Sequence, residues 1–181
     1  MLNLPNILTV FRLFLIPLFV IIFFSNNEFK YIYSIFIFLL SGFTDILDGY
    51  LARKYNQITN FGKLIDPLAD KLLIIVVLWC LVLKNFIPEV ILIIIILKEV
   101  LMIIGSLFLY KRVNIVVSAN IYGKLATFMF YLSIILLLLK IEISRFLLYI
   151  AVSFALLAMF IYISKYLKEF KYMKAPSDMN K

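Results

Sequence analysis

Four of the chain's five aspartates stand close together: Asp45, Asp48, Asp66 and Asp70. They lie in the segment Asp45-Ile-Leu-Asp48-Gly49-Tyr-Leu-Ala52-Arg53, followed after eight residues by Gly62-Lys-Leu-Ile-Asp66-Pro-Leu-Ala-Asp70. An isolated carboxylate at membrane depth costs roughly 2.5–3.5 kcal/mol on insertion scales. Two carboxylates about 4 Å apart repel by about 4 kcal/mol at an effective dielectric near 20. Something positive must compensate them, and a divalent metal site is the simplest candidate. The chain has no His, so carboxylates must serve as both metal ligands and general base. All-oxygen ligands favour Mg2+, Mn2+ or Ca2+ over Zn2+. The chemistry this points to is metal-assisted phosphoryl transfer. Metals neutralise phosphate oxygens and orient in-line attack, and a spare carboxylate takes the proton of the attacking hydroxyl. The competing reading pairs the aspartates with Lys63, Lys71, Arg53 and one another as buried salt bridges.

The elements that must position these groups are membrane helices. The chain has 181 residues, 65% of them hydrophobic, which places it among all-α integral membrane proteins. Six apolar segments can be marked, near 5–24, 31–52, 63–84, 87–110, 121–139 and 145–165. Each has the length of a transmembrane helix. The first carries Arg12 and Pro17 and lacks a small-residue cleavage site, so it reads as a retained helix and not a signal peptide. The lone Cys80 can form no intramolecular disulfide. A six-helix domain is expected over 1–168, with a basic, flexible tail over 169–181. Tyr166, Phe170 and Tyr172 interleave with Lys165, Lys168 and Lys171, a pattern that suits an anionic lipid surface. The net charge of +8, in so apolar a chain, points to an anionic bilayer and an anionic substrate and not to nucleic acid.

Basic residues concentrate in the second break (Arg53, Lys54, Lys63), the fourth (Lys111, Arg112, Lys124) and the tail. The positive-inside rule then puts these breaks and both termini in the cytoplasm. The aspartates flank the second break, so a polar active-site cavity opens to the cytoplasm. Asp45 and Asp48 are one turn apart near the end of the second helix, and Gly49 and Ala52 return to within about 40° of Asp45. Asp66 and Asp70 are one turn apart near the start of the third. A short connection folds the two helices antiparallel, so that all four carboxylates can face one cavity.

The spacing DxxDGxxAR, eight residues, GxxxDxxxD resembles the signature of the CDP-alcohol phosphotransferase family, with Asp45, Asp48, Gly49, Ala52, Arg53, Gly62, Asp66 and Asp70 at the signature positions. The opening Leu4-Pro5-Asn6-Ile7-Leu8-Thr9-Val10-Phe11-Arg12 and the run Thr59 to Lys71 look like those of bacterial phosphatidylglycerophosphate synthases. The resemblance implies two metal ions, Mg2+ or Mn2+. One would be held by Asp45, Asp48 and Asp66, the other by Asp45, Asp66 and Asp70, with Asp70 as general base. It implies that the CDP-lipid is bound through Gly49, Arg53, Thr59 and Gly62, with Asn6 and Thr9 lining the nucleotide pocket. The implied reaction moves the phosphatidyl group of CDP-diacylglycerol to the hydroxyl of sn-glycerol 3-phosphate and releases CMP. Homodimers and the cell membrane are implied as well.

A phosphorylated acceptor needs cations near Asp70, and Lys98, Lys124 and Arg112 are the candidates. Two positions that are basic in the synthases are here Ser106 and Ala126, which keeps a cardiolipin synthase using phosphatidylglycerol as the runner-up. Lys98 has Glu99 or Glu89 as an alternative partner, and Lys124 and Arg112 have an alternative reading as topological flanks. A cation transporter is the reading from a different class. It would put its acidic residues near the midplane on broken helices, not at one face beside Arg53.

Overall fold

In a computed structural model, the backbone is described for residues 4–54, 60–113 and 121–174, and side chains for 7–51, 54, 69, 71–105 and 121–164. Each apolar segment is a helix. They are α1 (Leu4–Phe24), α2 (Lys30–Lys54), α3 (Asn60–Leu83), α4 (Glu89–Val113), α5 (Ile121–Leu138) and α6 (Ser144–Lys174). α6 continues past the last apolar run to Lys174. The described residues contain no strand. Among the described residues, four helices have stretches long and apolar enough to cross a membrane: Ile7–Phe24, Lys30–Leu51, Ile121–Leu138 and Ser144–Ser164. α3 adds a shorter apolar stretch, Lys71–Leu83. α3 and α4 also carry charged residues: Asp66 and Asp70 lie on α3, and Lys98 and Glu99 on α4. Large apolar side chains point outward, among them Phe14, Ile21, Phe36, Ile46 and Phe128. A bilayer covers such surface, whereas a soluble monomer rarely presents patches this large. This is an all-α integral membrane protein.

The chain divides into two compact units, Met1–Leu92 with Leu138–Ile141, and Ile93–Leu137 with Glu142–Lys181. In the first, α1 packs on both α2 and α3, and α2 touches α3. The buried stripe of α1 runs Thr9, Arg12, Leu15, Phe19, Phe23, at the three- and four-residue steps of one helix face. That of α2 runs Ser34, Phe38, Ser41, Thr44, Asp48. Small Ser34 and Ser41 let the backbones approach, which favours helix association in a membrane. Asn27 begins α2: its Oδ1 accepts the Phe29 amide at 2.8 Å, and its carbonyl accepts the Lys30 amide. The side chain thereby satisfies a donor left open at a helix start.

α3 ends in a left-handed cap. Asn85 has φ 58°; Phe86 N–H donates to Leu81 O and Asn85 N–H to Val82 O, both at 2.9 Å. These two bonds close the last carbonyls of the helix. The same end of the unit is aromatic and cationic. Tyr31 meets Phe23 and Phe86 edge-on, Lys30 and Lys140 lie over the Tyr31 ring, and Lys84 lies over Phe24. In the second unit Tyr162 covers Gly105, with its Cε1 3.7 Å from where a Cβ would stand.

Candidate active site

α1 and α2 form an antiparallel hairpin about the 25–29 connection. Arg12 is thirteen residues before Ser25 and Asp45 fifteen after Lys30. At 1.5 Å per residue both lie about 20 Å from the connection, so the fold brings them to one level. Asp45 and Asp48 share a face of α2, one turn apart as their spacing predicts, and Asp48 is fully packed while Asp45 is partly open, at 4% and 39% side-chain exposure.

One positive group in contact with both is Arg12. Its Nη1 stands 2.7 Å from Asp45 Oδ1, a close ion pair that falls short of an aligned hydrogen bond. Its Nη2 donates to Asp48 Oδ2. The guanidinium is completely buried, and its Nε has no partner among the described residues. The sequence reading looked for compensation in a metal or in Lys63, Lys71 and Arg53 and did not name Arg12; the side chains of Lys63 and Arg53 lie outside the described residues. A signal was available: one Arg on the buried, four-residue-spaced face of an apolar helix needs a carboxylate, since arginine cannot discharge by losing its proton. Removing one partner of such a buried pair costs about 3–5 kcal/mol.

The other expected site residues fall into three groups. Thr9 is buried one turn before Arg12, and Gly49 is half-buried directly after Asp48. Asn6 and Arg53 lie on α1 and α2, Gly62, Asp66 and Asp70 on α3, and Arg112 on α4, but their side chains are outside the described residues; Thr59 lies outside them altogether. The expected quartet of carboxylates is thus described as one pair, Asp45 and Asp48. No group of three or more metal-ligating side chains occurs among the described residues. The donor chemistry fits a hard divalent cation: the pair offers oxygen ligands alone, and Asp66 and Asp70 are one turn apart on the helix that packs beside them.

Of the acceptor candidates, Lys98 is half-buried and its ammonium lies 2.5 Å from Glu99 Oε1. Glu99 is the neighbour named as its alternative partner. Lys124 is exposed in the first turn of α5. Ala126, where a second lysine was expected, is buried at 4% exposure; a lysine there would have to bury its charge.

Comparison with known proteins places the chain in a family. The family profile of CDP-alcohol phosphatidyltransferases matches residues 2–157. A protein of Rickettsia typhi named CDP-diacylglycerol--glycerol-3-phosphate 3-phosphatidyltransferase is 40% identical over 137 residues, 75% of this chain and 76% of its own. Proteins of the same name from Wigglesworthia glossinidia brevipalpis and Bacillus subtilis (strain 168) are 41% and 37% identical. They cover 77% and 70% of this chain, and 78% and 72% of theirs. The complete aspartate spacing, its placement on two neighbouring membrane helices and a match along most of the chain lead to one conclusion: the chain belongs to the CDP-alcohol phosphatidyltransferase family.

Proposed function

We propose that the protein makes phosphatidylglycerophosphate, transferring the phosphatidyl group of CDP-diacylglycerol to sn-glycerol 3-phosphate with release of CMP. The observation that carries this reading is the carboxylate pair of buried Asp48 and partly open Asp45, set in a chain about 40% identical over three quarters of its length to relatives named for that reaction. The acceptor hydroxyl attacks the phosphorus that bears the lipid. The new O–P bond forms as the bond to the CMP phosphate breaks, and the hydroxyl proton passes to Asp70. Divalent cations bound by Asp45, Asp48, Asp66 and Asp70 would neutralise phosphate oxygens during the displacement.

The remaining roles follow from the resemblance to the family. Gly49 leaves the backbone of α2 open to the nucleotide, Arg53 and Thr59 contact its diphosphate, Gly62 permits close approach at α3, and Asn6 and Thr9 line the pocket from α1. Lys98, Lys124 and Arg112 receive the acceptor phosphate. Lys98 is held by Glu99, so its share comes through an oriented pair. The catalytic domain is 1–168, the protein is a homodimer in the cell membrane, and both termini and the site face the cytoplasm. The distribution of Lys and Arg supports that orientation.

The test is CMP release by purified protein in detergent with CDP-diacylglycerol and Mg2+ or Mn2+, supplying glycerol 3-phosphate and phosphatidylglycerol separately and weighing the lipid products. Metal-dependent release with glycerol 3-phosphate is expected. Release with phosphatidylglycerol alone would make the protein a cardiolipin synthase and overturn the acceptor assignment.

A further inference from the structure

At the end of the first unit away from the aspartates, positive charge gathers from three separate connections of the chain. Lys30 opens α2, Lys84 follows α3 and Lys140 comes just after α5. They meet on one aromatic cluster. The ammoniums of Lys30 and Lys140 lie 5.5 and 5.4 Å from the centroid of the same ring, Tyr31, and that of Lys84 lies 5.4 Å from Phe24. Phe23 joins the two rings, edge-on to each. Among the described residues no carboxylate pairs with any of the three lysines. A ring face attracts a cation only weakly at an exposed site, and cations gathered on one cluster repel. Two of the lysines also occupy unfavourable places. Lys30 stands at the start of α2, where the helix dipole disfavours a cation. Lys140 has φ 58°, the left-handed conformation that glycine or asparagine usually takes after a helix. An unfavourable backbone retained at the surface points to a task for the side chain.

We propose that this cluster docks the phosphate of an anionic phospholipid. Charge complementarity calls for an anion, and the surroundings select a lipid. Each lysine directly follows a large apolar residue that is about half exposed: Phe29, Leu83 and Leu139. Exposed Ile32 and Phe36 continue that apolar surface down α2 from Lys30, along the course that acyl chains take in a bilayer. A ligand with charge at one end and apolar chains behind it meets both features, whereas a free anion meets only the first. Aromatic rings and lysines at this level suit the headgroup region. The phosphate ties three connections together, so it fastens this end of the unit. The cluster lies about 20 Å along the helices from Arg12 and Asp45, so the docking depends neither on a metal nor on the reaction proposed above.

Trp79 is the only tryptophan. It is exposed on α3, five residues before Lys84 and about 7 Å along the helix from it, so it reports acyl chains beside this end. The full-length protein is reconstituted, in chelator, into vesicles mixing phosphatidylserine with phosphatidylcholine, one or the other brominated in mid-chain. Quenching of Trp79 then gives the preference for anionic over zwitterionic lipid. Wild type should prefer the anionic lipid at least about fivefold, and Lys30→Gln and Lys140→Asn should each lower that preference about threefold or more. Lys140→Asn supplies a residue suited to the left-handed backbone, so it should melt no lower than wild type in neutral detergent. It decides the matter if Lys30→Gln does not fold. Lys54→Gln removes the same charge from the opposite end of α2 and should keep the wild-type preference. Equal quenching by the two lipids in wild type overturns the proposal, as does a preference that the Lys30 and Lys140 variants leave unchanged. An equal loss in Lys54→Gln would mean that net charge and not this cluster attracts the lipid, which also overturns it. Relief of quenching by inorganic phosphate at constant ionic strength would make the ligand a free phosphate and end the lipid assignment.

Discussion

In the proposed reaction Asp70 serves the chemistry and Lys124 the capture of the acceptor, and their substitutions should separate the two. Asp70→Asn keeps the side chain's size and removes its basicity. Transfer should fall at least about 100-fold, the lower end for losing a general base, with thermal stability retained. CMP release at the wild-type rate would end the assignment of the base. Lys124 is exposed at the start of α5, so its loss leaves no buried charge behind. Lys124→Ala should raise KM for glycerol 3-phosphate about tenfold, the worth of one charge-assisted contact, with KM for CDP-diacylglycerol unchanged. A KM that does not move would make this lysine a topological flank. The aspartates and their spacing could be read from the chain because chemistry demands particular residue types at particular steps. Arg12 could not be paired from the chain, because its partners lie 33 and 36 residues away and local spacing says nothing of a contact across a hairpin.

At the level of elements, the ends of α3 and the face of α2 offer the sharpest tests. Asn85 holds a left-handed backbone at the cap of α3, a conformation that glycine adopts without a Cβ penalty. Asn85→Gly should stabilise the protein slightly, by about 0.5 kcal/mol, asparagine being already the best tolerated of the other residues there. A marked loss of melting temperature would show that the Asn side chain has a structural task of its own. Ser41 is fully buried on the face of α2 that packs in the helix bundle, and its hydroxyl has no partner among the described residues. Ser41→Leu should wedge the helices apart and cost about 1–3 kcal/mol, read as a drop in detergent melting temperature. An unchanged melting temperature would mean that close approach at Ser41 is not needed. The six helices were legible because runs of about twenty apolar residues admit few alternatives in a membrane. The extension of α6 to Lys174 was not, because its last turns are too polar to register as a span and are read by composition as a tail.

For the whole molecule, orientation is the property most open to a direct test. Cys80 is the only cysteine and is buried, so Cys80→Ser provides a clean background for single labels. On it, Asn27→Cys should react with an impermeant maleimide applied to intact cells, and Ser177→Cys only after permeabilisation. The reverse pattern would invert the topology and take the carboxylates away from the cytoplasm. Family membership, the all-helical membrane architecture and the transfer chemistry belong to this scale too, and each is supported by a match that runs over most of the chain.

The sequence by itself determined the class of protein, the number of helices, the spacing of the four aspartates and the family, because each depends on residue type and local spacing along one chain. Tertiary structure decided what stands opposite those carboxylates. Packing α1 against α2 brings Arg12 level with Asp45 and Asp48 and seals it from solvent. It also decided that Asp48 is the closed end of the pair and Asp45 the open one. The reason is physical: burial and ion pairing depend on distances between helices, and those distances are set by packing rather than by order along the chain.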